Sequence, residues 1–212
     1  MDESKIQKTG TTTLGMVCKD GILLAADKKV TAGNLVSSTK FDKVIIINDS
    51  IAITTAGLVS DVQLLTKLIR AQIKLDELRR NKKIKIKEAA NLLANLVYNN
   101  VRKMSIIQGI TGFLMAGVDN EGFYLYELGI DGSLNRFDDF VADGSGMMFA
   151  LGVLESHYKQ DLTVEQAKEV AIKAISASMM RDTASGGGID IVTITKEGTK
   201  KVYSKVLQQK LA

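Results

Sequence analysis

The spacing of apolar residues divides the first half of the chain into two pairs of strands followed by two helices. "TTTLGMVC" and "GILLAAD" flank the short turn "KDG", which predicts a β-hairpin. "KVIIIND" and "IAITTAG", rich in β-branched residues, predict a second pair of strands. After Gly57 the apolar residues recur every three or four positions, which predicts an amphipathic helix of roughly five turns. Its apolar stripe consists of Val62, Leu65, Leu68, Ile69 and Ile73.

The rest of the chain continues the same alternation. "KEAANLLANLVYNNVRKM" predicts a second helix with the stripe Ala89, Leu92, Leu93, Leu96 and Val97. "GITGFLMAGVD" and "GFYLYELG" predict two strands, and the helices "MMFALGVLESHY" and "TVEQAKEVAIKAISASMMRD" follow. Thr163 stands three residues before Gln166, which is the spacing of a capping box. "IDIVTIT" and "KKVYSKV" predict a final hairpin.

Strands and helices grouped in blocks favour antiparallel sheets with helices outside them over a parallel βαβ arrangement. We therefore predict an α+β fold in which two sheets lie face to face with a helix pair on each outer face. The 212 residues contain no fixed-period repeat and no low-complexity linker, so a single domain is expected.

Composition narrows the class of protein. Hydrophobic residues are 45% and charged residues 25% of the chain, as in soluble globular proteins. No apolar run approaches the ~18 to 20 residues of a membrane span, and charges within the first eight residues interrupt any secretory signal, so we expect a cytoplasmic protein without a membrane partner. With one cysteine, Cys18, and one histidine, His157, neither a disulfide nor a zinc cluster is expected.

Two features have simple surface interpretations. His157 lies in the polar stretch "ESHYKQD" and is expected at the exposed end of a helix, so any catalytic base is a different group. The net charge of +4 is concentrated in Arg79 to Lys87, a basic run that could bind nucleic acid. No aromatic residues interleave with this run and it lies between two helical patterns, so a solvated connector is favoured.

With His157 and Cys18 set aside, the remaining candidate nucleophiles are Ser, Thr, Lys, Asp and Glu. An N-terminal threonine carries its own base, because an α-amine has a reference pKa of about 7.7 to 8.0, close to working pH. While Gly10 is bonded to Thr11 this nitrogen is an amide, so cutting that bond would create nucleophile and base together. Threonine runs also begin strands because threonine favours them, so "TGTTT" alone decides nothing.

Other polar residues could assist such a threonine. A buried Lys43 would lower the proton affinity of the hydroxyl, and Asp27 would keep that lysine charged and fixed. Gly57, at a strand-to-helix turn, offers a backbone N–H to an oxyanion, and Asp182 and Ser185 offer oxygens to an amine. Each also has an ordinary structural interpretation: a surface ion pair, a turn glycine or a helix end.

Six motifs in order resemble proteasome β subunits of the archaeal type. They are "TGTTTLG", "AADKKVTAGN", "DKV", "TTAGLVSD", "GSG" followed by "LGVLES", and "RDTASGG", and the resemblance covers essentially residues 10 to 200. The resemblance implies a threonine-type endopeptidase with the four-layer αββα sandwich of N-terminal-nucleophile hydrolases and with neither metal nor organic cofactor. It also implies a propeptide, residues 1–10, removed autocatalytically between Gly10 and Thr11, and one catalytic domain, residues 11–212.

The resemblance assigns roles by position. Thr11 matches the nucleophile, Asp27 and Lys43 the pair beside it, and Gly57 the oxyanion glycine. Three further residues match the network around the threonine amine: Ser145, Asp182 and Ser185. The substrate pocket corresponds to Val30, Thr31, Phe41, Ile45, Thr55 and Val59, which are mostly apolar and imply cleavage after hydrophobic residues.

The same resemblance implies heptameric β rings, stacked between rings of α subunits, that degrade unfolded polypeptides delivered by an ATPase. A bacterial ring protease also begins with "TT", but it is usually shorter and is not expected to contain "RDTASGG". A non-catalytic ring subunit is the other alternative, and Gly10, Thr11 and Lys43 all count against it. The sequence departs from many relatives at Met147 and Met148 and in its lack of proline.

Overall fold

The computed structural model describes residues 10–207, and within that range the chain forms twelve strands and four helices, confirming a mixed α+β fold. The strands are β1 (Thr13–Cys18), β2 (Gly21–Asp27), β3 (Val30–Ala32), β4 (Leu35–Ser38), β5 (Val44–Asn48), β6 (Ile51–Gly57), β7 (Thr111–Asp119), β8 (Gly122–Leu128), β9 (Leu134–Phe137), β10 (Phe140–Asp143), β11 (Gly188–Thr195) and β12 (Gly198–Val206). The helices are α1 (Val59–Arg80), α2 (Ile86–Arg102), α3 (Met147–His157) and α4 (Val164–Arg181). Of the proposed propeptide, only Gly10 belongs to the described residues.

The strands form two five-stranded antiparallel sheets. The first has the order β10-β1-β2-β11-β12 and the second the order β5-β6-β7-β8-β9. The two predicted hairpins are present as β1–β2 and β11–β12, and the two other predicted strand pairs form the hairpins β5–β6 and β7–β8. Strands β3 and β4 form a separate two-stranded hairpin.

Three apolar clusters hold these layers together. The first lies between α1, α2 and the second sheet, and the second lies between α3, α4 and the first sheet. The third joins the inner faces of the two sheets. Each helix pair therefore covers the outer face of one sheet. Representative members, in the same order, are Ile69, Leu93 and Phe113; Leu14, Leu154 and Ala171; and Leu24, Leu114 and Val192.

Helix α1 differs from its prediction in length and in one apolar position. It has 22 residues, which is about six turns rather than five. Leu68 remains 38% exposed, whereas the other four residues of the predicted stripe are buried. In a projection down the helix axis, at 100° per residue, those four residues lie within one arc that has Leu65 at its edge. Leu68 lies outside that arc, beyond Leu65. The three-residue spacing therefore placed Leu68 at the wrong edge of the stripe.

The surface interpretations agree with the structure. His157 is exposed at the end of α3. The run Arg79–Lys87 spans the connection between α1 and α2, where Arg80 and Lys85 are ion-paired with acidic neighbours. Among residues 10–207, no helix is long and apolar enough to cross a membrane.

The capping box at the start of α4 is present and is open to test. The Thr163 hydroxyl accepts the Gln166 N–H at 3.4 Å, and Gln166 Oε1 accepts the Thr163 N–H at 3.0 Å. Thr163→Ala should lower the free energy of unfolding by about 1 kcal/mol, because the helix loses its cap. Urea denaturation beside the exposed control Thr39→Ala measures this loss, and equal unfolding midpoints would contradict the prediction.

Candidate active site

Thr11 lies two residues before β1, at the end of the first sheet, and its side chain is buried among polar groups. It is 4% exposed. Its hydroxyl donates to Asp27 Oδ1 at 3.0 Å, and its backbone N–H donates to Ser145 Oγ at 3.2 Å. Asp27 is the last residue of β2, which pairs with β1. The antiparallel pairing of β1 and β2 thus places Thr11 and Asp27 side by side.

The Asp27 carboxylate is the centre of this cluster. Its Oδ1 accepts from the Thr11 hydroxyl, from the Thr12 N–H at 2.9 Å and from Lys43 Nζ at 2.7 Å. Two further backbone N–H groups donate to its Oδ2. A fully buried carboxylate requires such donors, because an unpaired charge in the interior is costly. The arrangement fixes Thr11 and Lys43 against one oxygen atom.

Lys43 is a buried cation directly before β5. Its side chain is 4% exposed and forms its ion pair with Asp27. Burial lowers the pKa of Lys43 below the ordinary 10.5, and the carboxylate of Asp27 opposes that change only in part. The carbonyl of Lys43 accepts the Thr55 N–H at 3.0 Å, which attaches the lysine backbone to β6.

A second network lies on the other side of Thr11. Ser145 Oγ and Ser185 Oγ each donate to Asp182 Oδ2 at 2.6 Å. Burial opposes ionisation of Asp182, but the two serine hydroxyls and a backbone N–H outweigh it and lower the pKa of this carboxyl. Ser185 Oγ also lies 2.7 Å from Thr12 Oγ1, which connects Thr12 to this network.

Glycines let the chain approach Thr11 closely, a requirement that sequence reasoning missed. A Cβ at Gly144, where φ is +99°, would lie 2.3 Å from the Thr11 carbonyl oxygen. A Cβ at Gly146 would lie 2.0 Å from Thr12 Oγ1. Any larger residue at these places would push the turn "DGSG" away from β1. The glycines of this motif therefore bring Ser145 to the Thr11 backbone.

Gly57 ends β6 beside the same site. Its φ is +111°, and a Cβ there would lie 2.1 Å from the Ile110 carbonyl oxygen. Gly57, Thr11 and Lys43 line one small cavity. Five of the six predicted pocket residues line it too: Val30, Thr31, Phe41, Thr55 and Val59.

Ile45 is the pocket residue that the structure does not bring to this cavity. It packs against the cluster beneath α1 and α2. Its neighbour Val44 belongs to the cluster between the sheets, because successive residues of a strand face opposite sides. Val62 lines the cavity instead. It lies three residues after Val59 on α1, so helical spacing could have indicated it.

A larger concavity, about 1000 Å³, lies between α2 and strands β8 and β9. Charges of both signs line it, among them Arg80, Glu88, Glu121 and Arg136. It shares no residue with the cavity at Thr11. The small cavity remains the candidate site because it alone of the two combines apolar walls with the buried ion pair.

Comparison with known sequences defines the class of this protein. A family model described as "Proteasome subunit" matches residues 7–194, and the chain belongs to that family. Within the family it is similar to archaeal β subunits. "Proteasome subunit beta" of Archaeoglobus profundus is 43% identical over 209 residues, covering 97% of this chain and 95% of the relative. That of Archaeoglobus fulgidus is 40% identical over 212 residues, covering 100% and 97%. The resemblance based on the six motifs is confirmed.

Proposed function

We propose that this chain is a threonine-type endopeptidase subunit of a proteasome core particle, built on the four-layer αββα fold of N-terminal-nucleophile hydrolases. One observation carries the proposal: the Thr11 hydroxyl and the Lys43 ammonium meet at one Asp27 oxygen, at the edge of an apolar cavity. A hydroxyl beside a buried cation is a recognised arrangement for nucleophilic catalysis.

The first step is removal of residues 1–10. With Gly10 attached, the Thr11 nitrogen is an amide that donates to Ser145 and cannot accept a proton. Cleavage after Gly10 gives Thr11 a free amine at the same place. Ser145, Asp182 and Ser185 then hold that amine through the hydrogen-bonded oxygens around it.

Peptide hydrolysis follows by acyl transfer. Thr11 Oγ attacks the substrate carbonyl carbon, and the hydroxyl proton passes to the Thr11 amine. The positive charge of Lys43 favours this loss of the proton, and the Gly57 N–H stabilises the oxyanion. The amine then gives the proton to the leaving nitrogen as the peptide bond breaks. Water hydrolyses the resulting ester and restores Thr11.

The cavity determines which residue precedes the cut. Val30, Phe41 and Val59 give it apolar walls beside the nucleophile, and an apolar side chain gains free energy when it leaves water there. We infer cleavage after hydrophobic residues. The substrates are unfolded polypeptides, supplied by an unfolding ATPase to heptameric β rings between α rings in the cytoplasm.

Intact mass and peptide hydrolysis by the assembled particle test the function together. We expect the chain to lose residues 1–10 and the particle to cleave a fluorogenic peptide after leucine faster than after aspartate. A particle that cleaves peptides while its chains keep the first ten residues would contradict the proposed mechanism.

Gly10→Ala should slow propeptide removal, because its Cβ would lie 1.9 Å from the Ala184 Cβ and 2.8 Å from Ser145 Oγ. The displaced peptide bond would no longer face the nucleophile, and we expect cleavage at least about tenfold slower. Gly152→Ala is the matched control, since a Cβ there meets no atom within 4 Å. The uncut fraction is followed by mass spectrometry, and parent-like rates for Gly10→Ala would refute the argument.

A further inference from the structure

Behind the site, two Asp-Lys dipeptides pair so that the acid of each meets the lysine of the other. Asp27 is the last residue of β2 and Lys28 follows it, whereas Asp42-Lys43 leads into β5. Asp27 is ion-paired with Lys43, and one residue away Lys28 Nζ is ion-paired with Asp42 Oδ1 at 2.7 Å. Lys28, which follows Asp27, therefore holds Asp42, which precedes Lys43. The acyl-transfer mechanism uses the first pair and leaves the second without a role.

The second pair is anchored in the first sheet. The Lys28 side chain is 4% exposed, and its Nζ lies 2.5 Å from Asp190 Oδ2 on β11, which is fully buried. Lys201, on β12, lies 3.5 Å from Asp42 and 3.7 Å from Asp190. Two lysines thus balance two aspartates, as burial of a charge requires. The Lys28 side chain is therefore buried and held by the first sheet, unlike an exposed surface lysine.

Lys28 also holds the main chain of the segment before β5. Its carbonyl accepts the Phe41 N–H at 3.0 Å, and its own N–H donates to the Gly186 carbonyl at 2.9 Å. The ion pair with Asp42 adds a side-chain contact at the next residue. The segment is held at its far end by the hydrogen bond from Thr55 to Lys43. Phe41, in the cavity wall, and Lys43 therefore take their positions from a short stretch fixed at both ends.

We propose that the Lys28–Asp42 pair, anchored by Asp190, is a positioning element that sets Lys43 against Asp27 and Thr11. The inference rests on the proposed function, because it assigns the pair to the geometry of that reaction. Displacement of a catalytic group by about 1 Å can reduce a rate about a hundredfold, so a contact that fixes Lys43 bears directly on turnover.

Asp42→Ala is the most direct test. The Asp42 side chain is 60% exposed and Lys28 keeps Asp190 as its partner, so the fold should survive. We expect kcat on a fluorogenic peptide to fall about tenfold with a smaller change in KM, since turnover depends on Lys43 placement. Asp42→Glu should restore kcat to within about twofold by re-forming the ion pair.

Asp138→Ala is the matched control, because it removes another exposed carboxylate, 80% exposed and paired with Arg136. Its kcat should stay near that of the parent. The proposal is overturned if Asp42→Ala matches this control, if Asp42→Glu fails to restore kcat, or if activity falls only in proportion to assembled particle. An inactive parent particle, by contrast, would overturn the proposed function itself.

Discussion

Thr11→Ala is expected to abolish peptide hydrolysis and to leave residues 1–10 attached. In the proposed mechanism the deleted hydroxyl attacks both the Gly10 carbonyl and the substrate, and no other described group shares the Asp27 oxygen as a hydroxyl donor. Loss of a nucleophile costs more than about a thousandfold in kcat. The Thr11 backbone contact with Ser145 does not involve the deleted atoms, so the fold should persist.

Thr11→Ser is the matched control for this loss. Serine keeps the hydroxyl but lacks the methyl group that restricts χ1, so it should process itself and retain part of the activity. Intact mass and a fluorogenic assay on assembled particles measure both effects. Retention of more than a trace of activity by Thr11→Ala would remove Thr11 from the mechanism.

Lys43→Met should produce the second large effect, a loss of at least about a hundredfold in kcat, as expected when a preorganised charge is removed. The Asp27 carboxylate keeps its other donors, namely the Thr11 hydroxyl and the N–H groups of Thr12, Lys29 and Gly186. Because the buried carboxylate loses its countercharge, kcat is measured per assembled particle. Parent-like kcat in an assembled Lys43→Met particle would contradict the role of the charge.

The pH profile provides an independent check on Lys43. Burial lowers the pKa of Lys43 below 10.5. The midpoint of the decline in kcat/KM at high pH should therefore lie below pH 10.5. Lys168→Met removes a partly exposed lysine paired with Glu165 and should change neither kcat nor the profile. If the decline in kcat/KM at high pH persists unchanged in Lys43→Met, that decline belongs to another group.

The long elements were predictable because their apolar patterns extend over many residues. Strands such as β2, β7 and β11 are continuous apolar or β-branched runs that are buried on both faces, and the helices repeat apolar residues every three or four positions. The hairpin β3–β4 and strands β9 and β10 have three or four residues each, too few for a period to stand out. Their positions depend on contacts with distant strands, such as the pairing of β10 with β1.

Site residues were predictable where a sequence motif indicates their chemical role. They were unpredictable where only the three-dimensional arrangement determines which side chains meet. Thr11, Asp27 and Lys43 follow from the order of the motifs, and the structure brings them together. Ile45 shows the limit, because its side of β5 depends on how the strand is placed between two layers. The pairing of Lys28 with Asp42 and Asp190 was missed, since two identical dipeptides do not reveal which acid meets which base.

The conformation of Gly57 also constrains how copies of this chain can diverge. The Ile110 carbonyl occupies the place of a Cβ, so folding alone requires glycine there, whatever the Gly57 N–H does in the reaction. A descendant that lost its peptidase activity would keep Gly57 under selection for folding, while Thr11 and Lys43 would be free to drift. Under the proposed mechanism, the threonine and the lysine should therefore distinguish active subunits from inactive ones among diverged copies, and the glycine should not.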